Sequence, residues 1–179
     1  SDLIEAGPRL LAGMSEESSA HAEQFLREMG VNILLNKRVV DYRDHKVVLE
    51  DGTEIATRTF IWVSGVTGVT IGNLDASLIG RGGRIKVDSF NRVEGMNNVF
   101  AIGDQCIQLA DENYPNGHPQ LAQVAIQQGE LLAKNLIRME KGQEMKPFHY
   151  RNLGSMATVG RNRAVAEFSK VKMQGWFAW

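Results

Sequence analysis

The chain has 179 residues, 43% of them hydrophobic, with a formal net charge of -1 and a pI near 6.4. That is enough apolar material for one or two small lobes with real cores, and a surface with no basic excess excludes nucleic acid as an expected partner. One cysteine, Cys106, excludes an internal disulfide, a Cys-x-x-Cys redox pair and a thiolate zinc site, and the apolar runs fall far short of the ~20 residues a spanning helix needs.

Ser1-Asp2-Leu3-Ile4 is no signal peptide, so a soluble chain in a reducing, cytoplasmic compartment, without a metal site, is expected. Leu3-Ile4-Glu5 reads as the end of a strand with a carboxylate at its tip, stopped by Ala6-Gly7-Pro8. A Glu in this position is either a surface carboxylate or an acceptor for ribose hydroxyls, placed ~20 residues beyond a Gly-x-Gly-x-x-Gly turn. The sequence starts after the place that turn would occupy, so a piece of something larger is expected. Ser15 with Glu16 and Glu17 behind it starts a helix, a hydroxyl cap followed by acids facing the positive dipole end. Ala22, Phe25, Leu26 and Met29 follow at helical spacing as packing residues, and Gly30 closes the helix.

Val31 to Leu35 is then a buried strand, completing the back half of a β-α-β unit. Val39 to Tyr42, Lys46 to Leu49 and Thr53 to Thr57 alternate around Asp51-Gly52 as an antiparallel meander, with His45 a solvated turn residue rather than a metal ligand. Thr59 to Val63 is expected as another buried strand, and Ser64-Gly65-Val66-Thr67-Gly68 after it is either a connection between lobes or a place where a ligand meets backbone. Gly80 to Gly83 is flexible, but no helix and no Lys-Ser/Thr follow, so it is not a P-loop. Arg84 to Asp88 is expected as an exposed strand, with the lobe boundary between Thr67 and Asn73.

Asn98 to Leu136 organises the rest: a short apolar run to Ile102, stopped by Gly103-Asp104, then a polar segment and a long amphipathic pattern from Pro119. A carboxylate just past a strand, with glycine allowing close approach, presents an acceptor to a ligand hydroxyl, and a helix start can aim N–H groups at an electron-rich atom. Leu121, Val124, Ala125, Gln128, Leu131, Leu132, Asn135 and Leu136 mark the core-facing period. Gln123 and Gln127, four apart, share a face that is either plain surface or a pair of hydrogen-bond donors. His118 beside Pro119 is left without a role. Ser155 to Gly160 and Ala164 to Phe168 form a hairpin, and the chain closes on Trp176-Phe177-Ala178-Trp179.

Val99-Phe100-Ala101-Ile102-Gly103-Asp104 resembles the second flavin-binding segment of flavoprotein reductases with two dinucleotide domains. Pro119 to Gly129 resembles the AQ-x-A-x-Q-x-G segment of type II NADH dehydrogenases, the single-subunit NADH:quinone oxidoreductases, and the resemblance extends over nearly the whole chain. It implies an α/β fold, part of a two-dinucleotide-binding-domain flavoprotein, with parallel strands, a crossover helix and an antiparallel meander. The division is 1–68 for the back of the NAD(H)-binding lobe, 69–142 for the second segment of the FAD-binding lobe and 143–179 for the start of the C-terminal region. FAD and NADH are the implied cofactors and a quinone the acceptor. Gly103 and Asp104 meet the ribityl or phosphate region, Ala122, Gln123 and Val124 the pyrimidine edge of the flavin, and Gln123 and Gln127 the quinone. Glu5 takes the adenosine ribose, and Ser64, Gly65 and Val66 pass near the nicotinamide, with Ser64 where alanine is commoner. The parent is expected on the cytoplasmic face of the inner membrane, attached through the region after Trp179, with a homodimer to cover open sheet edges. Lacking both Gly-x-Gly-x-x-Gly turns, the 179 residues are expected not to turn over alone. The single Cys106 excludes sulfide:quinone and disulfide reductases. A soluble NADH-dependent reductase of another acceptor, or a non-catalytic interaction domain, are the alternatives.

Overall fold

The computed structural model describes residues 1–69, 71–168 and 171–179, with side chains except those of Val171 and Phe177. It is mixed α/β, and the chain divides into two compact units, Ser1–Trp62 with Leu153–Trp179, and Val63–Asn152.

In the first unit β1 (Asp2–Ile4) and β2 (Asn32–Leu34) pair in parallel, Leu3 opposite Ile33, joined by α1 (Glu16–Glu28). Ser15 caps α1, its hydroxyl accepting from the Ser18 amide. Ala22 of α1 packs with Val159 and Val165, flanked by Phe25 and Leu26. Met29, expected in the core, is 44% exposed, because it lies past the last turn of the helix. The meander is as expected: β3 (Val39–Arg43), β4 (Lys46–Leu49) and β5 (Glu54–Ala56) run antiparallel, burying Val47 and Leu49. The C-terminal hairpin, β8 (Ser155–Thr158) with β9 (Ala164–Phe168), gains a third strand, β10 (Val171–Gly175), on the other edge of β9.

The expected strand at Thr59–Val63 does not form. Ile61 and Val63 are 75% and 88% exposed. An apolar run becomes a strand only where another backbone offers hydrogen-bond partners, and no described strand lies beside this one.

The second unit holds β6 (Ile85–Val87) and β7 (Cys106–Gln108), paired in parallel with Ile85 opposite Cys106, and α2 (Ala122–Glu140). Arg84 to Asp88 is not the exposed strand expected: Ile85 and Val87 are buried with Val93 and Cys106. The strand expected before Gly103-Asp104 is likewise displaced. Phe100 makes only an isolated bridge to Arg92, a 3-10 turn occupies Gly103–Gln105, and the ladder strand is Cys106–Gln108 behind it, all three residues buried. The turn therefore precedes the strand that anchors it. α2 begins at Ala122 rather than Pro119, with Leu121 still extended, and Leu136 faces out.

Candidate functional site

Gly103 has φ +65°, and a Cβ there would lie 3.2 Å from that of Ala125, so the turn approaches α2 this closely because it is glycine. Gln128, fully buried, reaches from α2 to accept the Gly103 amide at 2.7 Å. The Gln120 carboxamide donates to the Asp104 carbonyl at 3.2 Å. Two glutamines thus fix the turn against the start of the helix, and the Asp104 carboxylate stays exposed. No side chain caps α2 and no acid stands in its first turn, so the positive end of the dipole is not neutralised by its own residues. Ala122 is exposed and Gln123 half-buried, whereas the Val124 side chain packs inward and its amide already donates to the Leu121 carbonyl at 2.9 Å.

Gln105 holds a second segment at the same turn. Its carboxamide accepts from Val69 N at 2.8 Å and donates to Val69 O at 2.7 Å, the double bond pattern of a strand pair made by a side chain. Gly68 donates to Gly82 O at 2.8 Å, and the two backbones are so close there that a Cβ on Gly68 would collide with Gly83. Ser64, Gly65 and Val66 are exposed just upstream of this clip. Glu5 belongs to the other unit; it is half-buried at the end of β1 and accepts the Gly7 amide at 2.7 Å.

Gln127 uses its carboxamide in the same way as Gln105, donating to Arg151 O at 2.9 Å and accepting from Arg151 N at 3.0 Å. Asn135 does this again with Lys146, at 2.8 and 2.9 Å. One face of α2 is therefore stitched to the segment 146–151. Each amide retains one N–H and one lone pair for a further partner.

Sequence reasoning missed a buried cluster behind this helix start. His118, 1% exposed, shares a 2.9 Å hydrogen bond between its Nε2 and Asp111 Oδ2. Tyr114, Phe148 and Tyr150 surround the imidazole, with ring centroids 5.1, 5.2 and 5.9 Å away. Hydrogen bonding from His118 holds the Asp111 carboxyl below its ordinary range, and burial, with Tyr114 nearby, pushes the Tyr150 hydroxyl up. Arg84 is buried as well, donating to the carbonyls of Cys106 at 2.6 Å and His118 at 3.1 Å; loss of water lowers its pKa. The one available signal was an aromatic at 114, 148 and 150 around a His beside a proline, which has no fixed spacing. Cys106 is 1% exposed and its thiol is pushed up by burial, which makes it a packing residue rather than a nucleophile. Among the described residues no cluster of His, Cys, Asp or Glu suits a metal, and no helix is long and apolar enough to cross a membrane.

A parallel β-α-β unit and a glycine-acid turn packed on the first turns of a long helix define a dinucleotide-binding oxidoreductase fold. The chain belongs to the pyridine nucleotide-disulphide oxidoreductase family, whose model matches residues 2–129. It is 35% identical over 190 residues to the type II NADH:quinone oxidoreductase NdhA of Mycobacterium tuberculosis, covering 99% of this chain and 39% of that protein. It is 31% identical over 183 residues to the type II NADH:quinone oxidoreductase of Haemophilus influenzae, covering 98% and 41%. The structure of NDH2 from Plasmodium falciparum in complex with NADH superposes with a TM-score of 0.83 at 18% identity, over 97% of this chain and 51% of that one, a likeness of fold. The chain thus spans about two fifths of these curated relatives' length.

Proposed function

We propose that the whole protein is a flavoprotein that takes hydride from NADH onto FAD and passes the electrons to a quinone. The observation that carries this is the meeting of an exposed carboxylate, Asp104, with an uncapped helix start, both fixed to one turn by Gln128, Gln120 and Gln105. These residues fit FAD. Asp104 can accept from ribityl hydroxyls, Gly103 lets the cofactor reach the backbone, and the helix start at Ala122, Gln123 and Val124 presents a favourable dipole to an acceptor edge, with the Val124 amide itself held by the Leu121 carbonyl. When bound, FAD supplies the redox chemistry itself.

What this chain's side chains add is placement. Glu5 accepts from the adenosine ribose and repels a 2'-phosphate, favouring NADH over NADPH. Ser64, Gly65 and Val66 line the approach of the nicotinamide. Gln123 and Gln127 donate to the quinone carbonyls. The same assignment divides the chain at 68 and 142 between the NAD(H) lobe, the FAD lobe and the C-terminal region, and puts the parent at the cytoplasmic face of the inner membrane, on its surface, as a homodimer. The kinship to named quinone reductases over almost the full chain supports quinone over a soluble acceptor.

A flavin absorbance spectrum of the full-length protein tests this. Bleaching by NADH, little bleaching by NADPH, and recovery on adding quinone are expected. A protein without flavin, or one that NADPH reduces as well as NADH does, contradicts the assignment, and bleaching that only a soluble acceptor reverses moves it to a soluble reductase.

A further inference from the structure

The Val66 and Val69 side chains are 58% and 72% exposed, so residues 64–69 take their position from backbone bonds rather than from packing. Two neighbours supply those bonds. Gly68 donates to the Gly82 carbonyl at 2.8 Å, with Gly83 so near that a Cβ on Gly68 would come within 2.2 Å of its carbonyl oxygen. Gln105 meets both the N–H and the C=O of Val69 through its carboxamide, at 2.8 and 2.7 Å. The two supports are themselves joined, because Arg84, one residue past Gly83, donates to the carbonyl of Cys106, one residue past Gln105, at 2.6 Å. The contacts close a ring that runs from Gly68 through Gly82, Arg84, Cys106 and Gln105 to Val69, inside one compact unit. Gln105 is the leg of that ring that also belongs to the Gly103–Gln105 turn, next in sequence to the exposed Asp104 carboxylate.

We propose that Gln105 is a positioning residue for hydride transfer: it sets the backbone of residues 64–66, and with it the nicotinamide, against the flavin held at Asp104. This rests on the reading above in which NADH reduces FAD. In that step a hydrogen leaves the nicotinamide ring with both electrons of its C–H bond, NADH becoming NAD+ and the flavin being reduced. Neither proton nor charge passes through Gln105; its part is distance. Reacting atoms must lie about 3–3.5 Å apart, and a misplacement of about 1 Å costs on the order of a hundredfold in rate. A carboxamide suits this task because it is neutral and offers one donor and one acceptor side by side, matching the N–H and C=O of a single residue. A carboxylate of the same size can accept from Val69 N but turns a second oxygen, with no proton to donate, on Val69 O.

The test uses the full-length, flavin-loaded protein. In stopped-flow absorbance at saturating NADH, Gln105→Ala and Gln105→Glu are expected to keep their flavin and to bleach about tenfold or more slowly than wild type, while reoxidation by a short-chain benzoquinone slows far less. Amide hydrogen exchange, followed by mass spectrometry without NADH or quinone, is expected to quicken by about tenfold or more in the peptide containing Gly68 and Val69 in both variants. Wild-type bleaching in both variants overturns the proposal even where exchange quickens, since the stretch then moves without cost to hydride transfer. A Gln105→Glu protein that bleaches like wild type overturns it as well, because size alone then suffices, and so does unchanged exchange. An equal slowing of bleaching and reoxidation together with a lowered melting temperature marks a packing role and also overturns it. Wild type that holds flavin but is not bleached by NADH overturns the NADH reading and this role with it, whereas bleaching of wild type alongside any of the other failures leaves that reading standing.

Discussion

The site is assembled by carboxamides. Gln105, Gln127 and Asn135 each pair with a peptide group through both donor and acceptor, and Gln128 takes the amide of Gly103. Gln128 matters most to the turn, because it is fully buried and its bond fixes the residue next to Asp104. Gln128→Leu keeps the helix and most of the volume but strands the Gly103 amide, which costs about 1–3 kcal/mol. Urea denaturation of the chain reads this, and a change within ~0.5 kcal/mol, the spread of ordinary surface substitutions, would mean the turn does not depend on Gln128. Helical periodicity marked both Gln128 and Asn135 as core-facing from sequence alone. Their partners were not legible, since a carboxamide that binds backbone can bind any residue, and the backbone at Gly103 or Lys146 carries no signature. The same is true of His118: its burial comes from Tyr114, Phe148 and Tyr150, separated by up to 36 positions in sequence.

Among the elements, α1 is the one whose start the sequence announced most fully, yet half of its anchoring lay elsewhere. The Ser15 hydroxyl accepts from Ser18 N and donates to Glu167 on β9, and Ser15 N also donates to that carboxylate at 2.9 Å. Cap and tether are one residue. Those bonds, the Ser15 hydroxyl's first, hold the Glu167 carboxyl below its ordinary range of about 4.5. A depressed carboxyl adds stability that is present above its unfolded pKa and is lost as pH falls through the lower folded value. Ser15→Ala should therefore cost about 1–2 kcal/mol at neutral pH, and the difference from wild type should shrink in acid below roughly pH 4. Denaturation curves at the two pH values decide it; a penalty that stays constant into acid would show that Glu167 contributes nothing through Ser15. Sequence pattern found the meander and the C-terminal hairpin by alternation, and β10 carries the same alternation in Val171-Lys172-Met173-Gln174 but over too few residues to stand out without its pairing to β9.

At the scale of the whole chain, the apolar runs misread as strands are informative. Thr59 to Val63 has the composition of a strand buried on both faces, but Ile61, Val63, Val66, Val69 and Ile71 are 75%, 88%, 58%, 72% and 52% exposed. Composition reported that this run requires cover, and could not report which backbone supplies it, because strand pairing is non-local. The two-stranded β1–β2 sheet also has no further described strand on either edge. Both features favour association with another backbone, and for the 179 residues on their own the readily available one is a second copy. The chain should therefore sediment as concentration-dependent oligomers, more strongly so in sulfate, which strengthens apolar burial. Ile61→Ser with Val63→Ser should shift it toward monomer without lowering the melting temperature, since neither side chain is packed. A monodisperse monomer at high concentration would mean that this stretch is covered in a way its exposure does not suggest, and a loss of folding in the double variant would place it in a core after all.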